Sequence, residues 1–158
     1  MRVFRIEREK HLSATLLGLG ASLSSGFRWN GLHTRMVYTS ESRALATVEV
    51  TVHLDLSEDL PNDRYYVELD IPDKLLILEL NRLDLPLGWD SKPPGTVSQK
   101  IGDTFVSRNE AAVLKVPSAI VPFEYNFLIN PNHPDAAEIK VVQTWKMEFD
   151  KRIKDQEI

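Results

Sequence analysis

A glutamate among apolar residues of a predicted helix is the first candidate for chemistry in this sequence. The stretch from Ser42 to Leu54 contains neither glycine nor proline, and on a helix Leu45 and Val52 stand four residues before and three after Glu49. With Val48 they make an apolar face that takes in the carboxylate. Such a carboxylate must rim a cleft, meet a cation or adjust its pKa, because burying an unpaired charge is costly. A structural ion pair, or a side chain that reaches out to water, explains an acid of this kind as readily as a function does.

Arg28 is the natural partner, placed between Phe27 and Trp29 in the glycine-bounded segment Gly26 to Gly31. Its planar fork suits a carboxylate or a phosphate. Arg5 is a second cation in a β-prone setting, where a solvated strand residue is the commoner reading. Tyr38 precedes the helix and could wall the same pocket; for Tyr38 and Trp29 alike a packed core aromatic is the ordinary alternative. Ser118 follows Pro117 at a break in a strand, where it presents a hydroxyl to a ligand or makes a turn. Asn126 is equally open between binding and structure.

Other chemistries drop out. Gly18-Leu19-Gly20 lacks the third glycine of a dinucleotide loop and no Walker loop occurs. His11, His33, His53 and His133 have no ligand spacing and there is no cysteine, so no metal is expected. No serine-hydrolase elbow is present.

The elements that must position these residues follow from pattern. Strands are predicted at Val3–Ile6, Met36–Thr39, Tyr65–Ile71, Leu75–Leu80, Ala111–Val116, Tyr125–Ile129 and Lys140–Phe149, with Gly26–Gly31 as a strand beside Met36–Thr39. Helices are predicted over Ser42–Leu54, capped by a hydroxyl from Thr39-Ser40-Glu41, and over Val97–Ser107; Leu12–Leu23 reads as a short helix or irregular loop. Leu85–Gly95 is broken by three prolines and two glycines into a loop that could cover a site. Without regular β-α alternation, the class is α+β with a mixed or antiparallel sheet core and flanking helices.

At 158 residues one core is expected, over 1–150, with a charged tail from 151 to 158 that frays. A hydrophobic fraction of 42% and a charged fraction of 27% are those of a globular protein. The net charge of -4 argues against direct nucleic-acid binding. The start MRVFRIEREK reads as a strand, so neither a signal peptide nor a membrane association is expected, and the predicted location is the cytoplasm.

Taken in order, the segments are more specific than any one of them. Phe4-Arg5-Ile6, Gly26-Phe27-Arg28-Trp29-Asn30, Val37 to Ser42, Ala44-Leu45-Ala46 through Glu49-Val50 and His53-Leu54 are followed by Gln99 to Asp103. Val116-Pro117-Ser118-Ala119, Glu124 with Asn126, Asn130-Pro131 and His133-Pro134 complete the series. The sequence resembles the RES family, named for an Arg, a Glu and a Ser that match Arg28, Glu49 and Ser118 here. The double glycine usual before the arginine is Gly26-Phe27.

The resemblance implies a compact ADP-ribosyltransferase-like fold and a toxin of a bacterial toxin-antitoxin system. NAD is then a substrate, with no resident cofactor, and the partner is an antitoxin with an Xre-like helix-turn-helix domain. It implies cleavage of the nicotinamide-ribose bond, as a glycohydrolase or phosphorylase, or as an ADP-ribosyltransferase acting on a protein. Arg28, Glu49 and Ser118 form the implied catalytic set, with Arg5, Tyr38, Trp29 and Asn126 at the substrate. A non-catalytic protein-binding module is the reading from another class, and a homodimer is left open.

Overall fold

A computed structural model describes residues 1–155. Its framework is a seven-stranded sheet in the order β4-β5-β6-β2-β1-β3-β7. The strands are β1 (Arg2–Arg8), β2 (Val37–Ser40), β3 (Arg64–Asp70), β4 (Ile77–Glu79), β5 (Val113–Pro117), β6 (Tyr125–Ile129) and β7 (Lys140–Met147). Among the described residues only the β4–β5 pairing is parallel. A parallel neighbour needs a long crossover, and the crossover here carries α3 (Thr96–Arg108). The other helices are α1 (Leu19–Ser22) and α2 (Arg43–Thr51).

Alternation along the central strands builds a core on each face. Val37, Val113, Phe127 and Ile129 join Val3, Val67 and Leu69 in one cluster. Their neighbours Leu114, Val116 and Leu128 join Trp29, Trp89 and Phe105 in the other. Adjacent residues thus point to opposite sides, and β5 and β6 are buried on both. The register sets Ser40 and Val116 on either side of Asn126, so one row crosses β2, β6 and β5 on the second face. That row ends beside the site.

α2 begins at Ser42, whose hydroxyl accepts from the Leu45 amide at 3.0 Å. The expected capping hydroxyl, Thr39 or Ser40, is therefore corrected to Ser42. Those three are engaged elsewhere: Thr39 donates to the Phe127 carbonyl, Ser40 to Asn126, and Glu41 accepts from the Tyr125 amide. The expected apolar face is also corrected. Leu45 is buried, but Val48 and Val52 are 37% and 55% exposed. Ala46, Glu49 and Val50, at i, i+3 and i+4, line one cavity, with the exposed Val52 and His53 at its rim.

The segment 26–31 is not the strand expected from its composition. Side chains take the place of ladder bonds. Gln99 Nε2 donates to the carbonyls of Ser25 and Phe27 at 2.6 and 2.8 Å, and Asp103 accepts from the Gly31 amide at 2.9 Å. The Trp29 amide donates to the Tyr38 hydroxyl at 3.0 Å, and the buried Asn30 side chain donates to the carbonyls of Ala21, Gly31 and Thr34. The backbone polar groups are satisfied without sheet geometry, which leaves the segment free to bend.

Gly102 permits this arrangement. A Cβ on Gly102 would lie 1.5 Å from the Trp29 carbonyl oxygen, so α3 packs directly on the backbone next to Arg28. Gly102→Ala is expected to force the two backbones apart at a cost of roughly 1–3 kcal/mol. A thermal melt should drop by several degrees, and an unchanged midpoint would contradict the packing. Of the C-terminal tail, Lys151–Ile153 form a single 3-10 turn capped by Asp150, and residues 156–158 lie outside the described region.

Candidate functional site

Beside β1, β2 and α2 lies a cavity of about 950 Å³ whose wall includes Arg28, Glu49, Tyr38, Asn126 and Arg5. Glu49 comes from α2 and Arg28 from the 26–31 segment, so the acid and the guanidinium share one hollow. The Leu85–Gly95 loop contributes Lys92, Pro93 and Pro94 to the same wall.

Glu49 is held tightly on one side. Its Oε1 accepts from Ser118 Oγ and from Asn126 Nδ2, both at 2.7 Å. Ser118 is only 1% exposed and does not line the cavity; it stands behind the carboxylate. Its own oxygen accepts from the amides of Ile120 and Val121 at 3.1 and 3.0 Å, which fixes the hydroxyl proton on Glu49. Among the described residues no donor reaches Oε2.

Arg28 is anchored from the loop. Nη1 donates to the carbonyls of Trp89 and Ser91 at 2.9 and 3.0 Å, and among the described residues Nη2 and Nε make no hydrogen bond. Burial lowers the Arg28 pKa from the usual arginine value, against the attraction of Glu49 and then of Asp90. The guanidinium remains charged at neutral pH all the same.

The aromatic residues divide. Tyr38 packs its ring on Phe27 at 5.3 Å between centroids and lines the cavity. Its hydroxyl accepts from Trp29 and donates to Asn30 Oδ1 at 2.6 Å, and burial raises its pKa above the usual tyrosine value. Trp29 also borders the cavity, but it is 2% exposed and stacks on Trp89, so most of its ring lies in the core that backs the Arg28 segment.

Arg5 stands apart from this group. Nη1 donates to the Thr15 carbonyl and Nη2 to Glu7, both at 3.1 Å, while Nε is buried with no partner. Burial lowers its pKa, opposed by Glu7. Arg5 thus builds the wall with a guanidinium already engaged.

The cavity carries charge of the opposite sense to the whole chain. Arg5, Arg8, Arg28 and Lys92 line it against Glu7 and Glu49, four cationic groups to two anionic ones, in a protein of net charge -4. A concave cationic site in an acidic molecule concentrates anions. The sequence offered no role for Gln99, Gly102 and Asp103, which hold the Arg28 segment, and only a capping role for Ser40, which holds Asn126. The only signal for the first three was their place in the family resemblance.

Comparisons with known proteins show the family and the fold. The family model described as the RES domain matches residues 2–150. The chain is similar to a Prs ADP-ribosylating toxin of Sphingobium sp. (strain YBL2), 44% identical over 140 residues that cover 87% of this chain and 86% of that protein. It is also similar to a Toxin Res of Yersinia enterocolitica, 32% identical over 155 residues covering 98% and 100%. Among solved structures, a chain of the M. tuberculosis MbcT–MbcA toxin-antitoxin complex superposes with a TM-score of 0.73 at 16% identity, over 92% of this chain and 83% of that one. The α+β class with a mixed sheet and flanking helices, expected from the order of elements, is the architecture found. This chain belongs to the RES-domain family.

Proposed function

We propose that the protein is a toxin that breaks the nicotinamide-ribose bond of NAD in the cavity between Glu49 and Arg28. One observation carries the reading. A carboxylate fixed through Oε1 shares a cationic hollow with a guanidinium, and among the described residues Oε2, Nη2 and Nε have no hydrogen-bond partner. The first suits a carbon that becomes positive and the second a diphosphate.

In the proposed reaction the C1′–N bond breaks and its electron pair leaves with the pyridinium ring, which becomes neutral nicotinamide. No strong general acid is needed for that departure. Positive charge spreads over C1′ and the ring oxygen, and the Glu49 carboxylate stabilises it directly or through the ribose hydroxyls. An acceptor then gives C1′ a lone pair and loses its proton to Glu49 or solvent. Arg28 holds the diphosphate, Tyr38 offers a flat wall to the nicotinamide, and Ser118 and Asn126 act on the carboxylate.

The acceptor is water, phosphate or a protein side chain. The name of the 44% identical Sphingobium relative, an ADP-ribosylating toxin, favours a protein. The MbcT–MbcA complex is a toxin with its antitoxin, and a cognate antitoxin with an Xre-like domain is the partner proposed here. A cytoplasmic site of action belongs to the same proposal; among the described residues no helix is long and apolar enough to cross a membrane.

The test follows label from the adenosine half of NAD in a cell extract. Transfer gives label on one protein band, whereas hydrolysis or phosphorolysis gives free ADP-ribose or its phosphate. Label that stays in intact NAD would overturn the reading and favour a non-catalytic binding module.

A further inference from the structure

Ser40 has no part in the reading so far, yet it borders the cavity beside Asn126, the carboxylate's support. It is 4% exposed at the end of β2, opposite Asn126 in the β2–β6 ladder. Its hydroxyl is 2.7 Å from Asn126 Oδ1, and Asn126 Nδ2 is 2.7 Å from Glu49 Oε1. The directions of these bonds follow from chemistry. A carboxylate only accepts, so the Asn126 amide must turn its nitrogen to Glu49 and its oxygen to Ser40. Ser40 must then be the donor.

We infer that Ser40 is a positioning residue for the reaction. By donating to the oxygen of Asn126 it holds the far end of the amide, and through Asn126 it keeps Glu49 anchored on Oε1 with Oε2 presented to the substrate. This rests on the NAD-cleaving reading of the site. Without the Ser40 proton, Asn126 Oδ1 has no donor among the described residues and the amide is held only at its Glu49 end, where it can turn over. The flipped amide would put an acceptor against the Glu49 oxygen, where two negative ends repel. Ser118 alone would then hold the carboxylate, and one bond leaves a rotation that two converging bonds remove.

A small displacement of a reacting group costs catalysis more than binding. Ser40→Ala is therefore expected to lower kcat for NAD by about tenfold to a hundredfold and leave KM within a few fold. Ser40→Thr, which keeps the hydroxyl, should retain most of kcat. The decisive comparison is the double variant with Asn126→Ala. Once Asn126 is gone, Ser40 has nothing to orient, so the double variant should be no slower than Asn126→Ala alone.

The experiment measures kcat and KM on the full chain for wild type, Ser40→Ala, Ser40→Thr, Asn126→Ala and the double variant, with a thermal melt of each. Wild-type kcat in Ser40→Ala, or losses that multiply in the double variant, would overturn the role of Ser40 while leaving NAD cleavage intact. A wild-type protein that leaves NAD whole would overturn the reading of the site, and the role of Ser40 with it. Should Ser40→Ala melt below the assay temperature, Asn126→Asp keeps the question open to test. It preserves size and accepts from Ser40 but cannot donate to Glu49. It should lose at least as much kcat as Asn126→Ala, and near-normal turnover would overturn the inference.

Discussion

Glu49→Gln is expected to slow NAD breakdown by about 10²–10³-fold, with KM changed only a few fold. The two side chains have nearly the same shape, so the cavity wall survives. What changes is charge. The carboxylate opposes positive charge that exists on the ribose only as the bond to nicotinamide lengthens, so its loss falls on kcat. Gln also brings an NH₂ group. Ser118 and Asn126 both donate to the present Oε1, so the amide must set its carbonyl there and turn its NH₂ toward the cavity. A donor then stands where a cation forms. A variant as fast as wild type would remove Glu49 from the reaction.

Arg28→Ala is expected to lower kcat/KM by about 10²–10⁴-fold, chiefly through KM, because charge-assisted hydrogen bonds contribute about 1.5–3 kcal/mol each and the free guanidinium edge offers more than one. Arg28→Lys should recover little. Its ammonium restores charge but not the planar fork, and it cannot both bridge the carbonyls of Trp89 and Ser91 and turn a second edge to the ligand. Arg28 also ties the Leu85–Gly95 loop to the site, so removing it loosens that wall. Steady-state kinetics over a wide range of NAD concentration would separate the outcomes. An unchanged KM would count against any contact with the diphosphate.

The parts legible in the sequence were those fixed by local pattern. Glu49 stood out because the helix that carries it is free of breakers and its period is short-range. The strands from Tyr65 and from Tyr125 were readable from β-branched and aromatic runs bounded by turn residues. The α+β class followed from the order of elements.

What stayed hidden depends on contacts between distant residues. Gly26–Gly31 reads as a strand until Gln99 and Asp103, 72 residues away, supply bonds that a ladder would otherwise make. Val48 and Val52 read as core because the sequence does not say that the sheet meets α2 along Leu45 and Ala46. Ser40 looked like a capping hydroxyl. Only the register that sets it against Asn126 turns it to the carboxylate. Ser118 was noticed as a strand break, but its position behind Glu49, away from the cavity, required the fold.

Nicotinamide release by the purified protein tests the central claim most directly, since every proposed acceptor leaves that product behind. Wild-type protein incubated with NAD and an extract that supplies acceptors should yield one nicotinamide for each NAD lost, and Glu49→Gln should yield almost none. Intact NAD after prolonged incubation with folded wild-type protein, or equal release by the two proteins, would contradict the account.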